Sequence, residues 1–267
     1  MMTARRRNLP AAMLLLFLLV AGLARAQTPK PVRVLFVGNS VTYVGNLPAV
    51  LEALAAGNGK SIRADMIAKG GATLTQWLDG GSVRRALRTS HYGYVVLQER
   101  GGDFACGFGP EVCRDSRHAL HVLAQVIRAH GAKPVLLGTY QVMPAASAEI
   151  VLKESAAASH EHVPYVSASG RLQSGLARFP HEDWFWQDRM HPGHELALLD
   201  AVLLYRQVFG SLPAARPLPV HAPMFVPSTK FSPSDPVSRP LPTARASMGY
   251  TYSAESVRHA IKLARGH

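Results

Sequence analysis

Two short segments of the chain carry residue types that could perform nucleophilic catalysis. Ser40 follows Gly38 and Asn39 at the end of an apolar run, and Asp188 lies three residues before His191. A carboxylate bound to one imidazole nitrogen fixes the tautomer of the ring, so the other nitrogen can take a proton from a serine hydroxyl. The sequence therefore predicts Ser40 as the nucleophile, His191 as the general base and Asp188 as the residue that orients it.

Two further segments could stabilise the negative charge that develops on an acyl oxygen. Gly71 follows the second apolar run, and the backbone N–H of a glycine can approach a ligand unobstructed. Gln98 and Arg100 follow the third run, and either side chain could donate to an oxyanion. Gly71, Gln98 and Arg100 are thus candidate oxyanion donors. The plainer alternatives are an ordinary glycine turn and a surface ion pair between Glu99 and Arg100.

The elements that position these residues alternate between short apolar runs and longer helical patterns. Such alternation indicates βαβ units and a parallel sheet, and ligands of parallel sheets bind beyond the carboxyl ends of the strands. The predicted strands are 32–37, 62–68, 94–97, 134–137 and 164–166, and the predicted helices are 47–56, 74–88, 116–130 (with Ser116 as its cap), 145–160 and 193–209.

The pattern resembles the SGNH (GDSL-like) hydrolase superfamily over four blocks between residues 34 and 209. Segment 38–40 reads Gly-Asn-Ser where the family usually has Gly-Asp-Ser, and segment 188–191 matches the last block. Gly71 matches the block that supplies a backbone oxyanion donor. The resemblance implies a three-layer α/β/α sandwich with a flavodoxin-like, five-stranded parallel sheet. It also implies an esterase or lipase, with acetylated carbohydrates among the substrates of the family.

The third block departs from the usual family pattern. The family commonly has Gly-x-Asn-Asp there, and the Asn side chain is its third oxyanion donor. Segment 97–99 reads Leu-Gln-Glu instead, as in a related variant of the superfamily. The resemblance assigns the role of the missing asparagine to Gln98, so that the predicted oxyanion donors are Ser40, Gly71 and Gln98.

The first 26 residues have the pattern of a secretory signal. Arginines 5–7 precede an apolar stretch, 11–24, that is shorter than the roughly 18–20 residues needed to span a bilayer. Segment 24–26, Ala-Arg-Ala, predicts cleavage after Ala26 and hence an exported chain, periplasmic or extracellular; the alternative is an uncleaved anchor. An oxidising compartment permits a disulfide between Cys106 and Cys113, with two free thiols as the rival interpretation.

Composition separates a core domain from a tail. Removing segment 1–26 takes away four arginines and no acids, so the net charge falls from +12 to +8. No basic helix or Cys/His finger indicates a nucleic-acid partner. Residues 27–212 are predicted to form the hydrolase domain. Nine prolines in 213–242 predict an extended tail without regular helix or sheet, followed by a helix over 254–265 capped by Ser253. A loosely held basic arm is the alternative.

Substrate contacts and alternative functions complete the expectations. In the leading hypothesis the protein needs no cofactor, and its substrate is a small-molecule or polysaccharide acyl ester. No stable membrane insertion is expected after signal cleavage. The sequence does not predict the oligomeric state. A second hypothesis is a metal-dependent hydrolase, and a third is a non-catalytic carbohydrate- or envelope-binding protein on the same fold. The predicted substrate-binding residues are Asn39, Arg100, Trp184 and Trp186, with Trp77 as a further candidate for the cleft, and the alternative metal ligands are His181, Asp188, His191 and His194.

Overall fold

A parallel sheet forms the centre of the computed structural model, which describes residues 30–231 and 247–266. Within these residues the sheet has five strands in the order β2-β1-β3-β4-β5, and all neighbours run parallel. The carboxyl ends of all five strands therefore meet at one edge. The strands are β1 (Val32–Gly38), β2 (Ile62–Ala68), β3 (Tyr94–Leu97), β4 (Lys133–Leu137) and β5 (Tyr165–Val166).

Helices cover both faces of the sheet because its central strands are apolar on both faces. Along β1, Val34 and Phe36 face one buried cluster, and Leu35 and Val37 face the other. The first cluster also holds residues of α2, α7, α8 and α9, and the second holds residues of α3, α4, α5 and α6. The predicted three-layer α/β/α sandwich is confirmed. The helices are α1 (Ser40–Tyr43), α2 (Leu47–Gly57), α3 (Leu74–Asp79), α4 (Ser82–Thr89), α5 (Pro110–Ala129), α6 (Pro144–His160), α7 (Ser169–Arg178), α8 (His194–Phe209) and α9 (Ala254–Arg265).

Three helices differ from the sequence expectation. The helix predicted over 74–88 is divided into α3 and α4, because Gly81 adopts φ +65° between them. Helix α5 begins at Pro110, so Ser116 is a buried residue inside the helix and not its cap. Proline suits the first turn of a helix because its missing N–H has no intrahelical partner there. Helices α1 and α7 were not predicted.

The proline-rich tail contains a strand, so the expectation that it forms no sheet is wrong for this part. Strand β6 (Leu218–Met224) pairs antiparallel with β7 (Ser247–Tyr252). The pairing shifts register between Val220 and Pro223, and such an irregular two-stranded ribbon tolerates proline. The predicted helix α9 is present, with the Ser253 hydroxyl accepting a hydrogen bond from the Ser256 N–H at 2.9 Å. The described parts of the tail, up to residue 231 and from residue 247 to 266, belong to the same compact unit as the sheet.

The structure tests the prediction about the two cysteines but not the prediction about the N-terminal segment. The predicted signal segment, 1–26, lies outside the described residues. No helix among the described residues combines the length and the apolar character needed to cross a bilayer. Cys106 and Cys113 form a disulfide. The bond joins the loop before α5 to the first turn of that helix.

Candidate active site

The turn that follows β1 places Ser40 at the carboxyl edge of the sheet. Asn39 caps helix α1, because its Oδ1 accepts from the backbone N–H two residues later at 3.0 Å. Its Nδ2 donates to the Ala72 carbonyl at 3.2 Å, and the Trp77 indole N–H donates to the Gly38 carbonyl at 2.9 Å. Asn39 and Trp77 therefore tie the Ser40 turn to the segment that follows β2.

Gly71 lies in that second segment and has the left-handed conformation that favours glycine, with φ +68°. No heavy atom lies within 4 Å of where a Cβ would be, so the backbone is open on this side. Among the described residues, the backbone N–H groups of Ser40 and Gly71 have no hydrogen-bond partner. Two free N–H donors thus lie in the turns that follow β1 and β2, and such donors can stabilise an oxyanion.

Gln98 and Glu99 lie beneath the two turns and brace them. Gln98 is 1% exposed, and its Oε1 accepts a hydrogen bond from the Thr42 hydroxyl of α1. The Glu99 carboxylate accepts from the Leu74 N–H, at the start of α3, at 3.1 and 3.2 Å. Burial raises the pKa of Glu99 to about 7. Glu99 is therefore not a surface partner of Arg100, and Gln98 does not line the cavity that holds Ser40.

The segment before α8 is a tight turn that aligns Asp188 with His191. The Trp186 N–H donates to the His191 carbonyl at 2.9 Å, and the Arg189 N–H donates to the Trp186 carbonyl at 2.8 Å. The Asp188 Oδ1 accepts from the backbone N–H groups of Met190 and His191 at 2.9 and 3.0 Å, and its Oδ2 lies 2.7 Å from His191 Nδ1. These contacts fix the orientation of the His191 ring, and Nε2 is the ring nitrogen that Asp188 does not bind.

Charges around this turn keep Asp188 ionised. Burial alone would raise the pKa of the Asp188 carboxyl, but the backbone N–H groups of His191 and Met190 and the His191 ring together lower it. Tyr140 lies nearby and is buried; burial, followed by the negative charges of Asp200 and Asp188, raises its pKa well above the ordinary value. Tyr140 therefore contributes a neutral phenol to the site, while Asp188 contributes the negative charge.

Ser40 and His191 line one cavity of about 590 Å³, within the size range of small-molecule sites. The described residues offer the Ser40 hydroxyl no hydrogen bond, so the contact between hydroxyl and imidazole is not closed in this arrangement. Catalytic hydrogen bonds are often long before a substrate binds. The other lining residues include Asn39, Gly71, Arg100, Phe108, Thr139, Tyr140, Gln141, Phe185, Arg189 and Met190.

Arg100 is held rigidly at the side of this cavity. Its Nε and Nη2 donate to the buried Asp103 carboxylate at 3.1 and 2.9 Å. Its guanidinium also lies over the Phe108 ring, 3.9 Å from the ring centroid. Phe108 belongs to the loop closed by the Cys106–Cys113 disulfide. The disulfide loop and Asp103 together fix the position of a cation in the cavity that Ser40 also lines.

The tryptophans do not occupy the positions predicted for them. Trp184 is 2% exposed, and its indole N–H donates to the Phe179 carbonyl at 2.9 Å, so it belongs to the core. Trp186 lines a separate cavity of about 50 Å³. Trp77 supports the Ser40 turn from within the core. The aromatic faces of the large cavity come instead from Phe108, Tyr140 and Phe185.

The alternative metal ligands are not gathered around one point. His191 is bound to Asp188, and the His194 ring stacks on Tyr250 with the ring centroids 3.7 Å apart. Across residues 30–231 and 247–266, no group of three or more His, Cys, Asp or Glu side chains is arranged to hold a metal ion. The described geometry thus favours a His–Asp pair over a shared metal.

Comparisons with solved structures place the fold among known hydrolases. A DUF4886 family protein from Bacteroides uniformis superposes with a TM-score of 0.57 at 14% identity, covering 68% of this chain and 84% of that one. A lipase/acylhydrolase from Enterococcus faecalis gives 0.54 at 14% identity, covering 68% and 97%. A variant of Axe2, an acetyl xylan esterase from Geobacillus stearothermophilus, gives 0.53 at 14% identity, covering 66% and 94%. The chain has the fold that these three proteins share. Neither a comparison with protein-family models nor one with curated proteins finds a match for the sequence.

Several residues of the cavity around Ser40 were not predicted from the sequence. Thr139, Tyr140 and Gln141 follow β4 and lie at the same edge as the other loops. The rule that ligands bind beyond the carboxyl ends of parallel strands pointed to this loop as well. The two cysteines pointed to the loop that carries Phe108, whereas Arg189 carried no such signal because its position depends on the turn around Asp188.

Proposed function

We propose that this chain is a carboxylic ester hydrolase that works through an acyl-enzyme on Ser40. The observation that carries the proposal is that Ser40 and His191 line one cavity while Asp188 holds the His191 ring at 2.7 Å. The likeness in fold to a lipase/acylhydrolase and an acetyl xylan esterase supports it. Serine nucleophile, imidazole base and orienting carboxylate are together the parts that acyl transfer requires.

The reaction follows from the roles of these groups. The Ser40 Oγ attacks the acyl carbon while its proton passes to His191 Nε2, and Asp188 stabilises the imidazolium. The negative charge on the acyl oxygen is stabilised by the free N–H groups of Ser40 and Gly71. When the bond to the alcohol oxygen breaks, that oxygen takes the proton from His191. Water then attacks the acyl carbon in the same way and releases the acid and Ser40.

The position of Gln98 changes the role we propose for the third block. Its Oε1 is bound to Thr42 and its buried Nε2 has no partner among the described residues, but the residue does not line the cavity. We therefore assign Gln98 to bracing helix α1 and assign the oxyanion to two backbone donors. Arg100 and Asn39 remain cavity residues, and we propose that Arg100 contacts the substrate while Asn39 acts through the turn that it caps.

The cavity suits the ester of a sugar or of a lipid. Its volume of about 590 Å³ is far larger than an acetyl group needs. Phe108, Tyr140 and Phe185 offer aromatic faces, which pack against sugar rings and acyl chains alike. An activity profile that compares p-nitrophenyl esters of rising chain length with acetylated saccharides separates the two. Preference for short acyl groups together with saccharide turnover assigns the sugar ester, and a rate rising with chain length assigns the lipid.

Export is part of the proposal. The signal pattern of 1–26 predicts it, and the Cys106–Cys113 disulfide supports an oxidising compartment, because such bonds persist mainly outside the cytosol. N-terminal sequencing of the chain recovered outside the cytoplasm tests it. A first residue of Gln27 is expected, and a chain that keeps Met1 and stays in the cytoplasm contradicts it.

The nucleophile is tested by Ser40→Ala with Ser174→Ala as the control. Ser174 is an exposed serine on α7, so its loss is expected to leave the rate unchanged. Ser40→Ala is expected to lower kcat for p-nitrophenyl acetate by at least about 10³-fold, and a fluorophosphonate probe is expected to label the wild type on Ser40 alone. A Ser40→Ala variant with the wild-type rate refutes the proposal. Loss of the wild-type rate in EDTA favours the metal-dependent alternative, and absence of both turnover and labelling favours a binding protein.

A further inference from the structure

A second cavity lies between the edge strand β5 and helix α8. Its volume is about 130 Å³, which is about four times the volume that a water molecule takes up in the liquid. It shares no lining residue with the cavity around Ser40. Its polar lining comes from Tyr165, Ser167, Arg171, Arg206 and Gln207, and its described lining includes no carboxylate.

Two guanidinium groups line this cavity without an acid to balance them. Arg171 Nη1 donates to the Ser167 carbonyl at 3.1 Å, and Arg171 Nε is buried with no hydrogen-bond partner in the described structure. Arg206 Nη1 donates to the Ala264 carbonyl at 2.7 Å. Neither arginine forms an ion pair with a described residue. Two like charges that are both partly removed from water destabilise the folded chain.

Two other partly buried arginines of the chain form ion pairs with buried carboxylates. Arg33 is paired with Asp65, and Arg100 is paired with Asp103. Arg171 has no such partner, and burial, followed by the charge of Arg206, lowers its pKa. An arginine stays protonated at neutral pH, so the folded chain bears the cost of the repulsion unless an anion enters.

We propose that this second cavity binds an oxyanion of the phosphate type between Arg171 and Arg206. The planar fork of a guanidinium matches the oxygens of such a group, and both arginines line the cavity. Gln207 and Ser167 add polar groups around it. The volume accommodates a single phosphate group, so the remainder of a larger phosphate ester would lie outside.

The site is tested by the response of thermal unfolding to phosphate, without reference to ester hydrolysis. A ligand that binds only the folded chain raises Tm as its concentration rises. Because phosphate raises the Tm of folded proteins in general, the informative quantity is a larger rise in the wild type than in Arg171→Gln when sodium phosphate replaces sodium chloride at the same pH and ionic strength. In Arg171→Gln the affinity for phosphate, measured by calorimetry, is expected to fall at least about tenfold. Arg178→Gln removes an exposed charge from the same helix and is expected to keep the wild-type affinity.

Two further arms complete the test. Arg171→Lys keeps the charge but loses the fork, so it is expected to weaken binding even if Arg171→Gln does not fold. Glycerol 3-phosphate that binds as tightly as inorganic phosphate identifies the ligand as a phosphate group on a larger molecule, and markedly weaker binding identifies the free ion. A specific site is expected to have a dissociation constant below about 50 mM, so the proposal is overturned if the wild type shows no binding at that phosphate concentration. It is also overturned if the Arg171 variants bind phosphate as tightly as the wild type does.

Discussion

Adding one methyl group at Gly38 tests the packing of the turn that carries Ser40. A Cβ on Gly38 would overlap the Thr42 hydroxyl and would lie 3.2 Å from Thr42 Cβ and 3.3 Å from Gln98 Cβ. The φ of Gly38 is not in the left-handed region, so alanine can adopt the backbone conformation and the cost comes from overlap alone. Gly38→Ala is therefore expected to lower the free energy of unfolding by about 1–3 kcal/mol.

The overlap has one identified partner, so a double-mutant cycle can isolate it. Thr42→Ala removes the hydroxyl that the new methyl group would meet, but it also breaks the hydrogen bond to Gln98, at a cost of about 1–3 kcal/mol. In the double variant the methyl group no longer meets the hydroxyl. Its loss of stability is expected to be smaller than the sum of the single losses by about 1 kcal/mol or more.

Urea unfolding of the four proteins measures the cycle, and Gly170→Ala is the matched control. Gly170 lies on helix α7 with no heavy atom within 4 Å of a Cβ built there. The same substitution is therefore expected to leave the stability unchanged or to raise it by up to about 1 kcal/mol. Additivity of the two single losses within about 0.5 kcal/mol would refute the packing argument, as would a Gly38→Ala variant as stable as the wild type.

Two more predictions concern a buried acid and a buried indole. Burial raises the pKa of Asp200 to about 8, above its value in an unfolded chain, so the stability that it contributes is complete below about pH 4 and is lost as the pH rises toward 8. Urea unfolding at pH 5 and pH 8 is expected to show a smaller difference in Asp200→Asn than in the wild type, and an equal difference would contradict this. Trp77→Phe removes the donor to the Gly38 carbonyl and is expected to cost about 1–3 kcal/mol. Trp186→Phe, whose indole N–H has no partner among the described residues, is the control; equal losses would show that the hydrogen bond has no part.

The order of elements and the ends of the strands could be predicted because they depend on local pattern. Runs such as 32–37 are apolar on both faces, and a strand covered by helices on both sides needs that pattern. The loops after β1 and β2 then had to meet at one edge. The pairing of Asp188 with His191 was also predictable, because three residues in a turn leave the two side chains little freedom to separate.

Contacts between distant residues were beyond such reasoning. Gln98 was predicted to face the substrate, and the structure has it beneath the turn because Thr42, far away in sequence, takes its amide oxygen. A surface ion pair with Glu99 was the alternative role considered for Arg100, but Glu99 is buried and binds the start of α3, and Asp103 binds the arginine side chain instead. Each of these contacts depends on which group the folded chain places next to the residue.

By itself, the sequence determined the alternation of strands and helices, the edge at which the polar loops gather, and the three residue types suited to acyl transfer. Only the tertiary structure decided which aromatic rings face the cavity, that strand β6 finds its partner in β7, and that Arg171 and Arg206 share a cavity without an acid. Periodicity records which face of an element is buried, because burial acts on each residue separately. It does not record which distant residue fills the space opposite, since that depends on packing among elements that the chain brings together only when it folds.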